Sequence, residues 1–179
     1  MQSSTLKKLD KSKFDEWKAQ HLLNRAGFGG TERQISLLTK MGLDKAVEYI
    51  VEYARVKDPS PVRAEDFDND IMRPRTKSEG QMIKKARQDG DEATLETLRQ
   101  ERQRRQRADR KQISEMEEWW LKRLIETPRP LEEKLTLFWH GHFATGYRTI
   151  ENSFHMYQQN AFFRTNAMGN FKEDLVRGI

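Results

Sequence analysis

Residues 131–145 read LEEKLTLFWHGHFAT, the stretch that combines the most apolar bulk with possible chemistry. Pro130, just ahead of it, suits the first position of a helix, where its missing N–H is not needed and its fixed φ is already helical. Glu132 and Glu133 follow at the positive end of the helix dipole. Leu131, Leu135, Leu137, Phe138, Trp139 and Phe143 supply apolar bulk around two histidines, His140 and His142. The pattern predicts a core helix running to about His140 or His142. Gly141 then matters most. On an uninterrupted helix, two residues spaced two apart point roughly 200° apart around the axis. A helix that ends at Gly141 would let both imidazoles approach one ion.

Upstream, TPRP at residues 127–130 stops one helix and starts the next. The stopped helix is expected over residues 91–126. Its first half is charged nearly all round. Its second half becomes amphipathic, with Ile113, Met116, Trp120 and Leu124 recurring every three or four residues. A weaker helix is expected over residues 78–88, broken at Asp89 and Gly90. Residues 58–75 read as a linker with Pro59, Pro61 and Pro74, and Phe67, Ile71 and Met72 are placed to dock it.

Nearer the start, a helix is expected over residues 13–25, with Phe14, Trp17 and His21 on one face. Gly27, Gly29 and Gly30 end it, with Phe28 as the anchor of the turn. TERQ at residues 31–34 has capping-box spacing. The helix it opens carries Ile35, Leu38 and Met41 and stops at Gly42. Asp44 is expected to cap a third helix bearing Val47, Ile50, Val51 and Ala54. Downstream, residues 144–149 read as a loop. A helix from about Ile150 carries Phe154, Tyr157 and Ala161, and Gly169–Asn170 separates it from a short helix at residues 171–176. The fold class is therefore all-α: an irregular helical bundle with a long, basic, partly protruding helix. The expected organisation is a helical unit at residues 1–55, a linker and basic arm at 56–112 and a helical core segment at 113–179, together one domain.

Charge sharpens this division. The chain of 179 residues carries a formal net charge of +5. Residues 73–111 hold 13 basic and 7 acidic residues, and the rest of the chain is close to neutral. The basic pI thus describes one segment and not a general affinity for nucleic acid. No apolar run of about 18 residues exists to cross a membrane, and the first residues lack the apolar core of an export signal. As written, the chain is expected in the cytoplasm. The absence of cysteine excludes disulfides and thiolate metal sites.

Three stretches together resemble an uncharacterised bacterial family, domain of unknown function 1800. They are HLLNRAGFGGTERQI at residues 21–35, EEWWLKRLIETPRPLEEKLTLFWHGHFAT at 117–145 and MYQQNAFFRTNAMGNFKEDL at 156–175. The resemblance implies an N-terminal portion of a longer protein, with an acidic, Asn- and Arg-containing helical motif beyond Ile179. It also implies an exported or envelope-associated setting for many members. It carries no established activity.

Candidate chemistry is confined to a few places. His140 and His142, joined by His21, are candidate ligands of a divalent metal, with Glu132, Glu133, Glu151 or His155 as further donors. The alternative is that these histidines are half-buried and hydrogen-bond across helices. Arg25, Tyr147, Arg148, Asn160 and Arg164 are candidate substrate or partner contacts. Arg102, Arg104, Arg105, Arg107, Arg110 and Lys111 form a basic arm facing solvent, a partner protein or nucleic acid. It lacks the interleaved aromatics on which bases stack. Three functions remain open: a structural or interaction module without activity of its own, a metal-dependent enzyme completed by residues after Ile179, and a basic arm that binds nucleic acid or an acidic partner.

Overall fold

A computed structural model describes residues 8–58 and 66–176, so Pro59 and Pro61 of the expected linker lie outside the described residues. Among the described residues all regular structure is helical, and the chain is all-α. The helices are α1 (Glu16–Ala26), α2 (Glu32–Met41), α3 (Leu43–Val51), α4 (Lys77–Asp89), α5 (Glu92–Glu126), α6 (Pro130–Phe143), α7 (Tyr147–Ile150) and α8 (Ser153–Thr165). A π-helical turn follows at Phe171–Val176. The chain groups into two compact units. The first comprises Met1–Pro61, Trp120–Phe143 and Phe162–Ile179, and the second Val62–Trp119 and Ala144–Ala161.

In the first unit the helix ends follow local chemistry. The Asp15 carboxylate accepts from the Lys18 N–H and caps α1. Thr31 and Gln34 form the full capping box of α2, as the TERQ spacing predicts. Gly42, at φ 75°, both ends α2 and begins α3. Asp44 is therefore not the cap of α3. It sits in the first turn, where its charge suits the dipole, and pairs with Lys11. The buried centre is Ala19 and Leu23 of α1, Leu38 of α2, and Ala46 and Ile50 of α3, with Leu131 of α6 packed against it. Of the apolar residues expected on α3, Ile50 is buried, while Val47 and Val51 stay about two-fifths exposed. Ala46 joins Ile50, one turn away, on the buried face, because a small residue lets the helices approach closely.

The glycine turn at residues 27–30 is held by close packing. A Cβ on Gly27 would lie 2.7 Å from the Pro130 Cβ, and one on Gly30 2.3 Å from Leu23 Cδ1. Lys134 of α6 donates to the Gly27 carbonyl at 2.8 Å and lies over the Phe28 ring. The start of α6 is thus fixed against the end of α1. Helix α6 runs without interruption through Gly141 to Phe143, where Ala144 turns to φ 44° and ends it.

In the second unit Ile113 and Met116 of α5 pack with Met156 and Tyr157 of α8, and Phe67 stacks on Tyr157 with ring centres 4.3 Å apart. The expected docking of the segment around Phe67 is present. Polar side chains complete the packing. Asp109 is 1% exposed and accepts from Tyr147 Oη, the Ser153 N–H and Ser153 Oγ, so one carboxylate joins α5, α7 and the start of α8. Residues 147–149, expected as loop, form with Ile150 the single turn α7. Arg105 donates to the carbonyls of Asp70, Ile71 and Arg73, which fixes the segment before α4. Helix α4 has its own capping box, Thr76 with Glu79, and ends at left-handed Gly90.

Two glycine substitutions should behave oppositely. Gly27→Ala forces a Cβ into Pro130 and should destabilise the chain by about 1–3 kcal/mol. Gly141→Ala meets nothing within 4 Å on a continuous helix. It should stabilise by about 0.5–1 kcal/mol. Urea denaturation of both variants measures the difference, and a destabilising Gly141→Ala would argue against an unbroken α6.

Candidate functional site

The end of α5, the start of α6 and the end of α8 bring charged residues together where apolar ones are expected. On α5, Arg123 lies three residues after Trp120 and seven after Met116, on the apolar stripe. On α6, Glu133, Thr136 and His140 share a face at i, i+3 and i+7. Glu133 and Thr136 have no exposed surface, Arg123 is 5% exposed, and Glu132 is 7% exposed.

The Glu133 carboxylate is bound on every side. Arg123 donates its Nε to Oε1, Arg164 its Nε to Oε1 at 2.8 Å and its Nη2 to Oε2 at 3.1 Å, and Trp120 its Nε1 to Oε2 at 2.8 Å. Arg123 reaches further, to Asp58 Oδ1 at 2.7 Å and Glu132 Oε2 at 3.1 Å. Arg129 adds a bond to Glu132 and one to the Val56 carbonyl. Burial pushes the Glu133 carboxyl up, but the hydrogen bonds and charges of Arg164 and Arg123 outweigh it and hold the group below the usual carboxylate range. Burial raises Glu132, and the charges of Arg129 and Arg123 offset this only in part. Two adjacent carboxylates thus differ: Glu133 is firmly ionised, and Glu132 is easier to protonate.

The candidate metal ligands have different neighbours. His140 lies between Trp120, at 5.0 Å between ring centres, and Phe163, at 4.9 Å and edge-on. Burial, with the charge of Arg164 added, lowers its pKa to about 4, so the imidazole is neutral at pH 7. His142 is exposed among Phe138, Trp139, Phe143 and Phe171. His21 stacks on Trp17 of α1, in a hollow with Phe14, Leu22 and Arg25. Among the described residues no three His, Asp or Glu side chains are grouped to hold a metal ion. His155 and Glu151 are exposed.

The other candidates divide similarly. Tyr147 is bound to Asp109, and burial with that hydrogen bond pushes its hydroxyl up to about 12. Arg148 lines a shallow hollow beside Arg110. Asn160 is fully buried. Of the basic arm, Arg105 is bound to three backbone carbonyls, Arg104 pairs with Glu101, and Lys111 pairs with Glu115. Sequence patterning missed Arg123, Asp58 and Asp109. The available signal was the register that places Arg123 on the apolar stripe of α5.

These features define an all-α protein in which a buried arginine–carboxylate cluster joins helices distant in sequence. The chain belongs to the family described as Protein of unknown function (DUF1800), whose model matches residues 21–178. No curated protein and no solved structure matches it.

Stability should fall as pH drops from about 6.5 to about 4. In this window the unfolded His140 takes up a proton while the folded one, with its lowered pKa, does not. The loss continues as pH falls through the ordinary carboxylate range, where the unfolded Glu133 takes up a proton and the folded one, with its depressed pKa, does not. Denaturant titration from pH 4 to 8 should show the upper part of this slope removed in His140→Phe. An unchanged slope would refute the assignment to His140.

Proposed function

We propose that this chain acts as a helical structural or interaction module, with no turnover of its own. One observation carries the reading: the most deeply buried charged group, Glu133, has both oxygens engaged by Trp120, Arg123 and Arg164, and its carboxyl is held ionised. A general acid needs a proton to give, and a general base needs a lone pair facing a reactant. Glu133 has neither. Its bonds join α5, α6 and α8, which is the work of a fastener between helices.

The reading of His140, His142 and His21 as a divalent-metal site draws less support. Helix α6 passes through Gly141 unbroken, so the first two histidines lie on different sides of it. His21 is stacked on Trp17, away from the aromatic neighbours of His140. The basic arm as a nucleic-acid surface draws little support as well, because Arg105, Arg104 and Lys111 have partners within the chain.

Two measurements test the proposal. Glu133→Gln leaves the guanidinium groups of Arg123 and Arg164 without their shared counter-charge, and should cost about 3–5 kcal/mol of stability in urea denaturation. Elemental analysis of the purified chain should find the same sub-stoichiometric metal content in the parent and in His140→Ala/His142→Ala. One bound divalent ion per chain, lost in the double variant, would replace this proposal with the enzyme reading.

A further inference from the structure

The second unit contains a hollow of about 600 Å³ lined by α4, the first turns of α5 and residues 72–75. Its apolar lining is Met72 from the linker, Ile83 from α4, and Leu95 and Leu98 from α5. Arginines and two carboxylates complete the wall. Both carboxylates have an arginine partner within the chain. Glu79 takes two bonds from Arg73, at 2.7 and 3.0 Å, and Glu101 pairs with Arg104 at 3.4 Å. Arg105 is directed at backbone carbonyls. Arg75, Arg87 and Arg102 also line the hollow, are exposed, and have no ion-pair partner among the described residues. An apolar hollow is therefore surrounded by unmatched positive charge.

We propose that this hollow is a binding site for a small amphiphilic anion: one carboxylate head held by Arg75, Arg87 and Arg102, and an apolar body on Ile83, Leu95 and Leu98. Three observations support that ligand class. The volume falls within the roughly 300–1,000 Å³ typical of small-molecule sites. Guanidinium groups match a carboxylate in shape and charge. The wall is already braced, because Arg105 fixes residues 70–73 and the Arg73–Glu79 pair ties them to α4, so little ordering accompanies binding. A free medium-chain carboxylate is the occupant to which the proposal commits. The site lies apart from the Glu133 cluster in the chain, and its failure would leave the structural reading untouched.

Calorimetric titration of the full chain with octanoate tests it, beside acetate, which keeps the head alone, and 1-octanol, which keeps the body alone. Octanoate should bind at least tenfold more tightly than either. Arg75→Gln/Arg87→Gln/Arg102→Gln should weaken octanoate tenfold or more with an unchanged helical circular dichroism spectrum. The single exposed change Arg102→Gln should weaken it several-fold if the triple variant misfolds. Arg107→Gln/Lys111→Gln, outside the hollow, should leave binding unaltered. The proposal is overturned by absence of octanoate binding, by equal affinity for octanol or acetate, or by folded arginine variants with undiminished affinity. Binding confined to anionic vesicles or to an acidic peptide would overturn it too.

Discussion

The carboxylate of Glu133 has no surface in water, and three side chains from α5 and α8 donate to it. Burying a charge is costly unless it is paired and hydrogen-bonded, and here both conditions are met several times over. The rest of the first unit depends on that arrangement. Arg123 can be buried because Glu133, Glu132 and Asp58 surround it. Asp58 in turn holds the chain after α3, and Arg129 holds the neighbouring Val56 carbonyl. A wholly apolar set of similar volume could be as stable. What the charged set adds is direction: an arginine fork accepts few geometries, so the helices have one register in which all partners are satisfied.

The same logic recurs in the second unit on a smaller scale. Asp109 accepts from Tyr147 and from the backbone and side chain of Ser153, and Gln112 bonds Ser153 and the Asp68 carbonyl. Both units place an acidic side chain at the junction of three segments. A chain with as many charged as apolar residues has limited oily surface from which to build a core. It uses long polar side chains to reach between helices instead, and α5 carries such residues in both of its halves.

Helix limits were legible in the sequence because they are set within a few residues. The capping box at Thr31 and Gln34, the stop at Gly42, the break at Gly90 and the start at Pro130 each rest on local backbone chemistry. The cap of α3 was misplaced at Asp44 because Gly42, ending one helix, also opens the next with a single residue between them. On α3 the buried Ile50 was among the apolar residues legible in the sequence, whereas Ala46 was not, because periodicity counts large apolar residues while close approach selected a small one. The candidate histidines were visible as residue types. Their placement on different sides of an unbroken helix was legible too; what was not is that α6 continues through Gly141, a matter of packing around a glycine that helices tolerate at modest cost.

The sequence by itself determined the helical class, most helix limits, the basic segment and the family signature, all of which depend on residues near one another along the chain. Tertiary structure alone decided which charges are interior. Glu132 and Glu133 are adjacent and equally suited to a helix start, yet only Glu133 is fully enclosed by Trp120, Arg123 and Arg164. That difference arises from a rotation of about 100° between neighbouring helical positions. It points one carboxylate into the guanidinium groups of two other helices and leaves its neighbour at the edge.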